Sequence, residues 1–474
     1  MFPARDASSI DSSRIIRADY ADPAYTRLAA EAHAHWRRDP DDPDSLGGSG
    51  RYNQSGLLLA AEQGDDGATV RPDGKPTGLG YAKRSWVNSL VLAHAEGRPL
   101  SSVRLLPRAS VISAATGADG EWADWGYLNL AAGWADAEKS MDWLYKKVIE
   151  TRRVTFMNGS VEALNTEANA QKEGQAIAAQ DRKVTGARLS DGRNLSADLV
   201  IVAAGAWTPS LVDLSGQAIA TGQCLAYLRL TEDEQARLAK IPVCLNLSDG
   251  CFIIPPRNCV LKVARHSYGY LNPQTVSNEP LKEVPTSSSS TTTQGSPRIE
   301  NGKKPVISQP RTHLTDPSLS IPAEGADDLR RALRRMMPLP ELADRPFFQT
   351  KLCWYTDTPT GDWIIDYHPS CRNLFIATGG SGHAFKFLPI LGDKVVDCLI
   401  GRCPQGLREK WKWKGGLKIN DGAAAKEDGD GTKEQIEAHG KDLAVEHSIA
   451  TEDGSRGGKP GQILEAELSK SGRS

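Results

Sequence analysis

Residues Thr350–Lys386 read TKLCWYTDTPTGDWIIDYHPSCRNLFIATGGSGHAFK. The apolar run LFIAT ends directly in GGSG. This is the pattern of a buried strand closing on a turn where no β-carbon blocks close approach. A helix after such a turn points backbone N–H groups toward a phosphate or another polar ligand edge. A tight turn against a neighbouring strand gives the same string. Upstream, Cys353 lies between a lysine and an aromatic pair; downstream come His383 and Lys386. Read alone, Cys353 is a small core residue.

The rest of the chain supplies the sheet around this stretch. VTGARLSDGRNLSADLVIVAAGAW predicts a hairpin turning at SDGR, then a buried parallel-type strand closing on Gly205. GQCLAYLRL, CLNLSDGCFIIPP and CVLKVARHSYG alternate apolar and polar residues and predict a mostly antiparallel sheet. Helical spacing predicts helices over 24–36, 86–94, 134–148 and 325–337, and a strand over 153–161. The fold class is α/β.

Composition sets bounds. The 474 residues are enough for a large two-domain enzyme. Lysine and arginine number 57 against 59 acidic residues, a net charge of −2, which argues against a nucleic-acid footprint. The eight cysteines form no CxxC pair and no ligand spacing with histidine, so no metal site is expected. No apolar run reaches membrane-spanning length.

CWYTDTPTGDWIIDYHP followed by IATGGSGHAFKFLPILG resembles the C-terminal signature of the monomeric sarcosine oxidase family, which includes fructosyl amino acid, pipecolate and saccharopine oxidases. The resemblance extends over about residues 1–412 and implies FAD, carried covalently by Cys353, with Gly379, Gly380, Ser381, Gly382 and His383 at the cofactor. RIIR resembles the family's arginine pair: Arg14 beside the flavin and Arg17 clamping a substrate carboxylate, helped by Lys386. LKVARH resembles the segment that sets a lysine, Lys262, where oxygen is reduced, with His266 following. Tyr355 and His266 would shape the amine side of the pocket. The chemistry is coherent. A guanidinium fork matches a carboxylate, and fixed cations stabilise anionic oxygen and flavin species.

The implied reaction is oxidation of the C–N bond of a secondary amino acid, such as sarcosine, pipecolate or saccharopine, with oxygen as acceptor and hydrogen peroxide as product. The implied protein is a monomer, cytoplasmic or peroxisomal, without a peroxisomal tripeptide at GRS. A fructosyl amino acid oxidase is an alternative. Such members often carry a substrate-contacting arginine motif past KWKW, and none is evident here. An NAD-dependent dehydrogenase of similar sheet architecture is another enzyme reading.

The start, MFPARDASSIDSSRIIRADY, shows no strand, G-x-G-x-x-G turn and helix before it. The expectation is a Rossmann-like FAD domain lacking its first βαβ unit, through a late-assigned start. A cofactor-free interaction protein is the non-enzymatic alternative. The predicted organisation is a partial FAD-binding domain at 1–90, substrate domain at 91–132, FAD-binding segment at 133–215, and substrate domain at 216–345 with a mobile loop near 275–315. A C-terminal FAD-binding segment at 346–412 and a disordered tail at 413–474 complete it.

Overall fold

The computed structural model describes residues 4–64, 66–118, 121–168, 182–276, 280–281, 306–414 and 449–471. Most of the expected loop near 275–315 and residues 415–448 lie outside them. Within that loop, Val306–Ser308 is a strand paired with Pro273–Thr275.

The centre is a ten-stranded, largely antiparallel sheet. Its middle strand, Ile219–Arg229, is buried at ten of eleven positions. It pairs antiparallel with Val260–Arg265 and with Gln349–Asp357. Period-two alternation sorts the side chains. Cys224, Ala226, Leu228, Leu261, Val263, Leu352 and Trp354 pack in a core that includes Leu329, Leu333 and Met336 of the helix Ala323–Met336. Leu225, Tyr227, Ala264 and Cys353 cluster separately, on the opposite face. Lys262 and Tyr355 belong to this second face by the same alternation.

A smaller sheet carries the stretch that opened the reading. Leu374–Thr378 pairs parallel with Val200–Val202 and antiparallel with Ile364–Tyr367. Val200–Val202 has no partner on its other edge among the described residues, and Ile201 is 45 % exposed. Arg14–Ile16 pairs with Gly133–Ala135. The helix Pro23–Arg37 starts at Asp22, whose side chain caps Ala24 N at 2.7 Å.

Leu57–Ala61 lies in the ten-stranded sheet, between Val243–Asn246 and Trp125–Asn129. Gln349–Asp357 also belongs to that sheet. Two expectations are corrected. The strand expected over 153–161 is absent from 153–160; the strand there is Val161–Ala168. Residues 449–471 are not a disordered tail. Gln462–Ile463 adds a parallel strand beside Tyr270–Leu271, and Leu464–Ser471 is a helix. Its apolar anchors, Ile449 and Leu464, are buried. Glycine and charge dominate the average composition and hide them.

Candidate active site

Two adjoining cavities lie on the site face of the large sheet. Arg14, Lys262, Cys353, Tyr355, Lys386 and Gly382 line the inner one, about 70 Å³. Tyr20, Tyr81, Lys410, Asp453 and Arg456 are among the walls of the outer one, about 590 Å³. Arg17, His266 and His383 line both.

The inner wall is a charge cluster. Arg14 Nη2 lies 3.6 Å from Cys353 Sγ, and Cys353 is buried. Arg14 Nη1 and Lys262 Nζ both donate to Asp11 Oδ2. Lys262 Nζ also donates to Ser13 O at 3.0 Å. Tyr227 Oη donates to Asp11 Oδ1 at 2.5 Å. Burial alone would raise the Asp11 pKa, but the Lys262 and Arg14 charges hold it well below the usual carboxylate range. Burial pushes Lys262 down to about 8, with Asp11 opposing.

The junction between the cavities is a directed hydrogen-bond chain. His383 Nε2 lies 2.8 Å from Gly361 O, a carbonyl that can only accept, so Nε2 carries the proton. Nδ1 must then accept, from Tyr20 Oη at 3.0 Å. Tyr20 in turn accepts from Lys386 Nζ at 2.9 Å, and Lys386 also donates to His383 O at 2.8 Å. Burial, and then the Arg17 charge, push Lys386 well below an ordinary lysine. Burial and the Lys386 charge likewise keep His383 neutral. Arg17 is buried, its guanidinium is 5.0 Å from the Tyr20 ring centroid, and its Nη1 has no hydrogen-bond partner.

The returning C-terminal segment contributes Arg456. Its Nη2 donates to Asp357 Oδ1 at 2.6 Å and to Ser381 O at 2.9 Å. Its Nη1 lies 3.0 Å from His266 Nδ1, which must accept because a guanidinium can only donate. His266 therefore carries its proton on Nε2. Burial, then the Arg456 charge, hold its pKa well below normal.

The structure thus gathers Arg14, Arg17, Lys262, His266, Cys353, Tyr355, Gly382, His383 and Lys386 around the inner cavity. Ser381 lines only the outer one. Gly379 and Gly380 line neither. Gly379 is a turn residue at φ +73°, where an added Cβ would meet Thr358 and the Ile364 backbone. Trp122, Trp125 and Trp134 are core residues. Sequence reasoning missed Asp11 and Arg456. The spacing of Asp11 to Arg14 was the only local signal for the first. A lone arginine in SRGGKP gave almost none for the second.

Residues 2–398 match the family described as FAD-dependent oxidoreductases. The chain is 32 % identical over 443 residues to amino acid oxidase imqH of Aspergillus flavus, covering 87 % of this chain and 88 % of that protein. It is 26 % identical to L-saccharopine oxidase of Schizosaccharomyces pombe over 87 % of this chain and 85 % of that one. Among solved structures, a thermally stable fructosyl peptide oxidase mutant superposes with a TM-score of 0.68 at 24 % identity, over 88 % of this chain and 86 % of the other. Fructosamine oxidase from Aspergillus fumigatus superposes with a TM-score of 0.64 at 24 % identity, over 88 % and 82 %. The chain therefore belongs to the FAD-dependent oxidoreductase family, among its amino acid oxidases.

Proposed function

We propose that the protein oxidises the C–N bond of a secondary amino acid and passes the electrons to oxygen, releasing hydrogen peroxide. The observation that carries this reading is Arg17. A buried guanidinium with an unpartnered Nη1, facing two cavities, offers a free donor to an anion. A substrate carboxylate is such an anion and leaves the amine near the inner wall.

The donor set fits the ring end of FAD. Cys353 offers a thiol for a covalent bond, and Arg14 and Lys262 offer positive charge. Bound FAD supplies the two-electron acceptor. Arg17 orients the carboxylate, whose charge favours the protonated form of Lys386. His266, with its proton on Nε2, lines both cavities. Lys262 places a cation where reduced oxygen species carry negative charge. Tyr355 and the Tyr20 chain wall the site from bulk water.

A second reading, a glycated amino acid, is favoured by one observation: Arg456 brings a guanidinium from beyond KWKW to the outer cavity. Either substrate acts in a monomer with oxygen as acceptor. The test is peroxide release in air from sarcosine, pipecolate, saccharopine and fructosyl amino acids, with FAD and without nicotinamide. Peroxide from none of them would reject the proposal.

A further inference from the structure

The inner wall contains a carboxylate that neither the family match nor the relatives assign. Asp11 is buried, and both cations of this wall converge on its Oδ2. Its other oxygen accepts from Tyr227 Oη at 2.5 Å and from Ser12 N at 2.7 Å, so its orientation is locked. Arg14 extends from Asp11 to the Cys353 thiol, with Nη2 at 3.6 Å, and is steadied by Ser13 O at 3.1 Å. Lys262 reaches Asp11 from Val260–Arg265 of the ten-stranded sheet and donates to Ser13 O. Phe252 is its aromatic neighbour, at 5.7 Å from the ring centroid.

We infer that Asp11 is a positioning residue which holds Arg14 against Cys353 and keeps Lys262 protonated and aimed at the same wall. The argument is charge balance. Arg14 and Lys262 share one carboxylate oxygen. Without a counter-charge, each would disfavour the charged form of the other, and Arg14, always protonated, would prevail. The lysine would then lose its proton first. With Asp11 present the wall carries one net positive charge; without it, two. The groups facing Lys262 are Asp11, Arg14, Cys353 and the Tyr227 hydroxyl. Asp11 is the fixed anion among them. The inference rests on the reading that Cys353 and Lys262 flank the reacting ring, but its physical content is independent of turnover.

The test uses the full chain with 13C-labelled lysine side chains, following the Lys262 ε-carbon against pH and assigning it by its loss in Lys262→Arg. The wild-type midpoint is expected at about 8. Asp11→Asn should lower it by about 1 unit or more, the ordinary effect of removing a contacting opposite charge. Asp11→Asn combined with Arg14→Gln should bring it back up. Asp11→Glu should keep it near the wild-type value. A merely structural role predicts the reverse: loosening exposes Lys262, and the midpoint rises toward an ordinary lysine. A rise or no change in Asp11→Asn overturns the inference. So does a wild-type midpoint at the ordinary lysine value, whether or not the variants fold. A peroxide assay on the same samples separates this outcome from failure of the oxidase reading.

Discussion

Arg456 Nη1 lies 3.0 Å from His266 Nδ1, while Nη2 of the same guanidinium is paired with Asp357. One arginine, close to the end of the chain, thus fixes a histidine tautomer at the cavity and neutralises a buried carboxylate. The side chains of the Arg456–Asp357 pair are 1 % and 3 % exposed, so solvent screens it little. Arg456→Ala leaves Asp357 buried and unpaired. Unfolding free energy should drop by about 3–5 kcal/mol, the usual result of breaking a buried pair. KM should rise, because His266 can then rotate or exchange tautomers. Urea midpoints and steady-state kinetics check both. An unchanged midpoint would mean that water replaces the guanidinium.

Lys386 yields a proton-linkage prediction. Burial and then the Arg17 charge push its pKa well below that of an ordinary lysine, so the free protein holds that proton weakly. A carboxylate placed between Arg17 and Lys386 favours the charged form. Binding of an unreactive carboxylic acid should therefore be linked to proton uptake at pH values where the free lysine has lost its proton. Calorimetry in two buffers of different ionisation enthalpy measures the uptake. Lys386→Met should abolish it; zero uptake in the wild type would place the carboxylate elsewhere.

Gly382 sits at φ +67°, and a Cβ there would lie 2.4 Å from the Tyr355 ring. Neither the backbone conformation nor the contact tolerates a side chain. Gly382→Ala should cost about 1–3 kcal/mol of stability and displace Tyr355 from the cavity. Melting temperature and KM report the two effects separately.

The strands that carry this site were legible from their patterning, whereas Arg14, Arg17, Lys262, Cys353 and Lys386 were picked out by the family resemblance of RIIR, LKVARH, CWYTDTP and GGSGHAFKF. LFIAT and GGSG announced the small sheet and its turn, and LKVARH placed Lys262 on an alternating strand. Asp11 was not legible, since its partner Lys262 is 251 positions away and only the fold brings them together. Arg456 was hidden for a related reason. Its support is a two-residue strand and a few buried apolar anchors inside a charged, glycine-rich stretch. Leu57–Ala61 shows a third limit: five apolar residues declare burial but not which sheet they join.

Cys353 is expected to carry the flavin. Arg14 Nη2 lies 3.6 Å from the Cys353 sulfur, and a cysteine sulfur is a competent nucleophile for such a bond. Acid denaturation of the holoprotein should leave yellow colour on the polypeptide. Cys353→Ser should retain at most noncovalent flavin. If the wild-type colour washes away entirely, Cys353 is a packed thiol.

Arg17, the proposed carboxylate clamp, is expected to set the preference for an amino acid over a simple amine. Its Nη1 is buried without a partner, and Asp19, the nearest carboxylate in sequence, spends Oδ1 on Ser89, Tyr127 and Asn129. Asp19 Oδ2, like Arg17 Nη1, has no hydrogen-bond partner, so the guanidinium keeps a free donor. A bidentate contact to a carboxylate in such a site should be worth about 2–5 kcal/mol, by analogy with other desolvated charge pairs. The measurement compares kcat/KM for an amino acid substrate and the matched amine lacking the carboxylate. Wild type should prefer the acid by that margin. Arg17→Gln should reduce the preference sharply while leaving the amine nearly unaffected, because only the acid loses a partner. If both compounds suffer equally, Arg17 shapes the pocket without touching the carboxylate. If wild type does not discriminate between them, the anion that completes Arg17 is not the substrate's.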